Sequence, residues 1–188
     1  MKNKVYVIHR WGGSPNEPLH QWLEKELSNK GFDVTVPKMP NTDTPKIEEW
    51  VLYLKDQAKT PGNETYFIGH SIGCQTILRY LQTLNEKTKV KGVVLIAPWI
   101  NLTGLETEEE KEIAEPWLTT PINWDKIKAK TKKFTAIFSD NDPYVSLSNK
   151  DIFKEKLNAK IIVQKNKGHF TEGDGVSEIP AVIEELLN

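Results

Sequence analysis

The segment Tyr66-Phe67-Ile68-Gly69-His70-Ser71-Ile72-Gly73 decides the fold of this chain. A short apolar run leads into Gly69-His70-Ser71-Ile72-Gly73, and a pattern typical of an amphipathic helix follows. Glycines two residues before and after Ser71 suit a sharp strand-to-helix turn, where larger side chains would collide. Such a turn lifts the Ser71 hydroxyl above the sheet edge, beside helix N–H groups that favour negative charge. The segment predicts that Ser71 is an exposed nucleophile. The alternative is a purely structural role for Ser71 as a small residue in a tight turn.

Strand-like and helix-like segments alternate along the rest of the chain, which is typical of a parallel sheet covered by helices. Residues 101–125 break this rhythm with a Glu-rich run, and we interpret them as a short cap-like insertion. No Pro- or Ser-rich linker divides the chain, so we predict one domain over residues 1–188. The fold class is α/β, a three-layer α/β/α sandwich. Its predicted strands are Val5–His9, Phe32–Val36, Glu64–Ile68, Lys91–Ala97, Phe134–Ser139 and Lys160–Gln164.

Composition excludes several classes of protein. The 188 residues include 25 Lys and Arg against 26 Asp and Glu, so no global charge attracts nucleic acid or anionic lipid. Cys74 is the only cysteine, and no Cys and His cluster has metal-ligand spacing. The longest apolar stretch, Gly92–Ile100, is far shorter than the roughly 20 residues that cross a bilayer. We expect a cytoplasmic protein without membrane insertion, nucleic-acid partner, metal or cofactor.

A nucleophilic serine needs a histidine to accept its proton and a carboxylate to orient that histidine. Asp142 follows the fifth predicted strand and His169 the sixth, so Ser71, Asp142 and His169 all lie past the carboxyl end of a strand. We therefore predict these three residues as catalytic. Asp140 lies two residues from Asp142, and both remain candidates for the acid at this point, with Glu172 and Asp174 as further alternatives.

The loops at the same edge supply candidates for binding. The backbone N–H groups of Ile72 and Trp11 are predicted to form an oxyanion hole. Arg10, Trp99 and Trp117 are candidate substrate-pocket residues, because the first two follow strand ends and the third lies in the insertion. The glycines after the first strand lack the G-x-G-x-x-G pattern of dinucleotide-binding loops. His9, His20, His70 and Cys74 are expected to be structural.

Several motifs resemble the small α/β-hydrolase-fold serine hydrolase family of retinoblastoma-binding protein nine and bacterial YdeN. The resemblance covers almost the whole chain and is carried by Val7-Ile8-His9, Lys38-Met39-Pro40-Asn41, Gly69-His70-Ser71-Ile72-Gly73-Cys74, Ile77-Leu78-Arg79-Tyr80, Trp124-Asp125-Lys126-Ile127, Asp142-Pro143 and Gly168-His169-Phe170. It implies that Ser71, Asp142 and His169 are the triad. It also implies a reduced sheet of six strands in the order 2-1-3-4-5-6. Arg10 departs from the family, whose members often have glycine there, which affects the path of the oxyanion loop.

These features favour a serine hydrolase that cleaves a carboxylic ester or a similar acyl substrate through an acyl-enzyme. Its partner would be a small acyl molecule. The alternative is a non-catalytic protein-interaction module on a hydrolase scaffold, because a fold does not establish a function. The sequence indicates no particular protein partner.

Overall fold

The computed structural model describes residues 2–188 as a six-stranded sheet flanked by seven α-helices. All five strand pairings are parallel, and the strand order is β2-β1-β3-β4-β5-β6. The structure thus confirms the predicted sheet and the order that the resemblance implies. The predicted bounds of the last two strands agree with the structure, and those of the first four differ by one or two residues. The strands are β1 (Lys4–Ile8), β2 (Asp33–Thr35), β3 (Thr65–His70), β4 (Gly92–Ile96), β5 (Phe134–Ser139) and β6 (Lys160–Gln164).

Two groups of helices cover the sheet. In one group, α1 packs against α7. In the other, neighbouring helices contact one another in the order α2, α3, α5 and α6. The sheet therefore lies between two helical layers, which confirms the three-layer sandwich. Among residues 2–188, no helix combines the length and apolarity that a membrane crossing requires. The helices are α1 (Pro18–Asn29), α2 (Ile47–Ala58), α3 (Ile72–Thr83), α4 (Glu108–Thr119), α5 (Trp124–Lys128), α6 (Asn149–Leu157) and α7 (Pro180–Leu187).

The central strands form the middle of the core. Every residue of β3, β4 and β5 is buried, whereas the edge strands β2 and β6 are partly exposed. This difference follows from the architecture, because helices cover both faces of the inner strands of a parallel sheet. Their near-continuous apolar sequences are the reason why these strands could be found from the sequence.

The Glu-rich run of the insertion forms helix α4. A capping box starts it: the Thr107 hydroxyl accepts a hydrogen bond from the Glu110 N–H at 3.1 Å, and the Glu110 carboxylate accepts one from the Thr107 N–H at 2.9 Å. These two bonds satisfy N–H groups that have no partner within a helix. Three glutamates in the first turn also favour the positive end of the helix dipole. The sequence predicted this run only as an insertion, and the helix was not predicted.

Candidate active site

Ser71 lies on the turn between β3 and α3, with φ of 53° and ψ of −117°. These angles are unfavourable for a residue that has a Cβ atom, so the turn is strained. The surrounding backbone leaves no room for larger neighbours. A Cβ atom on Gly69 would lie 2.7 Å from the Cys74 nitrogen, and one on Gly73 would lie 2.8 Å from the His9 carbonyl oxygen. This close packing is the physical reason for both glycines of the motif.

The structure brings His169 and Asp142 into direct contact. The Asp142 Oδ2 atom lies 2.8 Å from the His169 Nδ1 atom, and the Asp142 side chain is only 1% exposed. The other carboxylate oxygen of Asp142 accepts hydrogen bonds from the N–H groups of Tyr144 and Val145, at 2.9 and 3.0 Å. Because Nδ1 faces a carboxylate, it carries the ring proton, which leaves Nε2 free to accept another.

The other candidate acids do not reach the imidazole ring within the described chain. Asp140 accepts a hydrogen bond from the Asn166 N–H at 2.8 Å. Asp174 accepts one from the backbone N–H of His169 at 2.9 Å. Burial opposes ionisation of Asp174, but hydrogen bonds from Thr171 and from the His169 backbone hold the pKa of Asp174 below its usual value. Both carboxylates thus fix the loop that carries His169 rather than its side chain.

His70 also supports the His169 loop, a contact that the sequence did not reveal. Its Nε2 atom lies 2.8 Å from the His169 carbonyl oxygen, so Nε2 carries a proton and donates it. Burial holds the pKa of His70 well below its usual value, so the ring is neutral at pH 7. Cys74 is likewise buried, and burial raises the pKa of its thiol, which keeps it protonated.

Ser71 and His169 open into one cavity of about 250 Å³. Four other predicted residues line it: Arg10, Trp11, Ile72 and Trp99. Four more lining residues were not predicted from the sequence. They come from the loops after β4 and β5 and from α4, and they are Leu102, Leu105, Glu110 and Tyr144. The Tyr144 ring packs edge-on against the His169 ring, with centroids 5.2 Å apart.

Two of the lining residues, Arg10 and Trp11, follow β1 and are fixed by hydrogen bonds. The Arg10 guanidinium lies 2.5 Å from the Glu17 carboxylate and donates to the Trp11 carbonyl oxygen at 3.0 Å. The Trp11 indole N–H donates to the Asp43 carbonyl oxygen at 2.9 Å. Ile72 is the first residue of α3, so its N–H has no acceptor within that helix.

Trp117 lies outside this cavity, contrary to its predicted place in the substrate pocket. Its side chain is 1% exposed, and its indole N–H donates to the Pro45 carbonyl oxygen at 3.0 Å. The Trp117 ring packs against the Trp50 ring, and the Arg79 guanidinium lies 5.9 Å from the Trp117 ring centroid. Trp117 therefore anchors α4 to the core instead of covering the site.

One cluster within residues 2–188 has potential metal-ligand atoms close together. Atoms of Glu17, His20 and His70 lie within 4.8 Å of one another. The Glu17 carboxylate is already paired with Arg10, and His20 Nδ1 lies 2.9 Å from the Ser14 carbonyl oxygen. The guanidinium of Arg10 balances the only negative charge of the cluster and would repel a cation.

A strained serine on a strand-to-helix turn, in one cavity with a histidine that contacts an aspartate, defines an α/β-hydrolase-fold protein. A family model described as serine hydrolase matches residues 5–188, and the chain belongs to that family. It is 28% identical to YdeN of Bacillus subtilis (strain 168) over 189 residues, which cover 100% of this chain and 96% of YdeN. It is 25% identical to serine hydrolase RBBP9 of Rattus norvegicus over 182 residues, or 96% of this chain and 88% of that one.

The crystal structure of the ydeN gene product from B. subtilis has the same fold. Its TM-score to this chain is 0.89 at 26% identity, and the match covers 99% of this chain and 97% of the other. The match therefore extends over nearly the whole of both chains.

Proposed function

We propose that this member of the serine hydrolase family cleaves a carboxylic ester or a similar acyl compound through an acyl-enzyme intermediate. The observation that supports the proposal is the placement of Ser71 and His169 in one cavity, with His169 Nδ1 held 2.8 Å from the Asp142 carboxylate. In this arrangement Asp142 orients the imidazole and stabilises its charged form.

The proposed reaction has two halves. In the first, Ser71 Oγ attacks the acyl carbon while its proton passes to His169 Nε2, and His169 then protonates the leaving group. In the second, water attacks the acyl carbon of the acyl-serine and gives a proton to His169. The carbon–Oγ bond then breaks, and His169 returns the proton to Oγ as the acid product leaves. The backbone N–H groups of Ile72 and Trp11 are proposed to stabilise the negative oxygen in both halves. Every step uses the side chains and backbone of this site, with water as the second substrate.

The walls of the cavity favour a small, neutral, apolar acyl group. Trp11, Trp99, Leu102 and Leu105 are apolar residues of its wall. Its volume of about 250 Å³ lies below the range that drug-sized ligands occupy. Glu110 adds a negative charge at the rim, because hydrogen bonds from Thr107 and Glu106 keep the pKa of its carboxyl low. We expect faster hydrolysis of short-chain and aryl esters than of long-chain or anionic ones.

A fluorophosphonate probe tests the proposal. We expect one probe per protein molecule, located on Ser71 by peptide mass spectrometry, and no labelling of Ser71→Ala. Ser148→Ala is the matched control, because Ser148 is a serine on the protein surface whose hydroxyl contacts that of Ser146. It should be labelled like the wild type. Failure of the folded wild-type protein to react would contradict the proposal and favour a non-catalytic interaction module.

A further inference from the structure

The indole of Trp99 contacts the oxygen atom of Ser71. Trp99 Nε1 lies 3.4 Å from Ser71 Oγ, and the two residues are 1% and 6% exposed. A buried indole N–H needs an acceptor, and Ser71 Oγ occupies that position. From the sequence, Trp99 was predicted only to line the substrate pocket, whereas this contact involves the serine oxygen that would react.

The chain bends sharply to place Trp99 there. Strand β4 ends at Ile96, and Ala97 follows in the left-handed region with φ of 47°. This conformation is uncommon for a residue other than glycine, and it persists only where the surroundings enforce it. The Ala97 N–H donates to the Ile137 carbonyl oxygen at 2.8 Å, so the bend is tied to β5.

Two buried amides hold the backbone of Trp99 and of the two residues that follow it. From α3, Gln75 Nε2 donates to the Trp99 carbonyl oxygen at 2.6 Å. From α6, the fully buried Asn149 accepts from the N–H groups of Ile100 and Asn101, at 2.8 and 3.1 Å. Its amide donates in turn to the Asn101 and Ser146 carbonyl oxygens. The segment that carries Trp99 is therefore fixed from three elements, which gives its indole a defined direction.

We propose that Trp99 is a catalytic hydrogen-bond donor to Ser71 Oγ, an inference that rests on the proposed function. Oγ gains negative charge as its proton leaves for His169, before the bond to the acyl carbon is complete. It gains negative charge again in the second half of the reaction, when the carbon–Oγ bond breaks and its electron pair returns to Oγ. His169 then returns a proton to Oγ. The indole N–H stabilises Oγ in both halves and keeps its own proton throughout.

The 3.4 Å distance between Trp99 Nε1 and Ser71 Oγ is long for a hydrogen bond. Catalytic hydrogen bonds often shorten when substrate binds and charge develops. A fixed N–H donor near a developing negative charge in a water-poor site is an established source of rate enhancement. Loss of one well-placed oxyanion donor costs about 100-fold or more, so we expect roughly tenfold for this longer contact.

The test replaces the N–H while keeping the shape of the ring. Placing 3-benzothienylalanine at position 99 substitutes sulfur for N–H, and Trp99→Phe provides a simpler second variant. The matched control is Trp50→Phe, because Trp50 is also a buried tryptophan, whose indole N–H donates to the Pro40 carbonyl oxygen at 2.7 Å. For each protein we would measure the second-order rate of fluorophosphonate labelling, kcat and KM for a small ester, and the melting temperature.

We expect the sulfur isostere to react about tenfold more slowly with the probe, with a lower kcat, an unchanged KM and a wild-type melting temperature. Trp50→Phe should melt at a lower temperature but keep the wild-type rate below that temperature. Wild-type rates in the isostere would overturn the role of Trp99 alone, because Ser71 would still be labelled. Absence of labelling in the wild-type protein would overturn the proposed function and this inference together.

Discussion

Acid should destabilise this protein well above the pH at which its carboxylates titrate. Burial lowers the pKa of His9 to about 4 and that of His20 to about 4. In the unfolded chain both side chains return to about 6.5. Between these values the unfolded state binds protons that the folded state does not, so the free energy of unfolding falls as the pH falls.

The size of the effect follows from the two pKa values. Between pH 7 and pH 5, a histidine with these values removes about 2 kcal/mol of stability, so His9 and His20 together remove about 4 kcal/mol. Burial also lowers the pKa of His70, which adds to the decline in the same direction. This is a large share of the roughly 5–15 kcal/mol that typically stabilises a domain. Asp and Glu side chains titrate mostly below pH 5, so this window isolates the histidines.

Urea unfolding at several pH values between 7 and 5 measures this slope directly. In His20→Asn, the fall in the free energy of unfolding between pH 7 and pH 5 should be about 2 kcal/mol smaller than in the wild type. The asparagine keeps an N–H donor for the Ser14 carbonyl oxygen but removes the titrating ring. Leu23→Ala, at a fully buried position of α1, should lower stability at every pH without changing the slope. A wild-type stability that stays constant from pH 7 to 5, or an unchanged slope in His20→Asn, would refute the reasoning.

Substitutions at three positions test the geometry of the site. Asp142→Asn should lower kcat/KM for ester hydrolysis by several orders of magnitude, as expected for the acid that contacts the His169 ring. Asp140→Asn should have little effect on kcat/KM, because its amide oxygen can still accept a hydrogen bond from the Asn166 N–H. If Asp140→Asn lost the activity and Asp142→Asn kept it, the acid would have to be reassigned. Gly73→Ala should lower both the melting temperature and the rate of probe labelling, because its Cβ atom would overlap the Ile8 carbonyl oxygen and displace the start of α3. A wild-type melting temperature together with a wild-type labelling rate would contradict this explanation.

The central strands could be predicted because their evidence is local. Strands β3, β4 and β5 are buried on both faces and read as apolar runs, and Gly31 ends α1 with φ of 88° as a helix-ending glycine does. Helix α4 was missed because its first turn is entirely acidic and only its later residues Ala114 and Trp117 are buried. Its stability depends on its capping box and on docking to the core, and only the first of these is visible in the sequence.

Some residues of the candidate site could also be predicted from the sequence, and others could not. Ser71 and His169 could be predicted from motif and strand order, and the structure places both in one cavity. Chain order cannot distinguish Asp142 from Asp140, because the direction of each carboxylate depends on how the loop after β5 meets the loop after β6. Chain order also cannot predict the position of Trp117, because its place between α2 and α3 depends on the path of α4.

The sequence by itself determined the strands of the sheet, the amphipathic helix after Ser71 and the sharp turn at Ser71, because apolar periodicity and glycine placement act over a few neighbouring residues. Tertiary structure alone decided which aspartate contacts His169, which residues line the cavity, and that the Trp99 indole points at Ser71 Oγ. These contacts join residues that lie 27 or more positions apart in the chain. Their geometry depends on hydrogen bonds and packing that arise only when the loops of different strands meet.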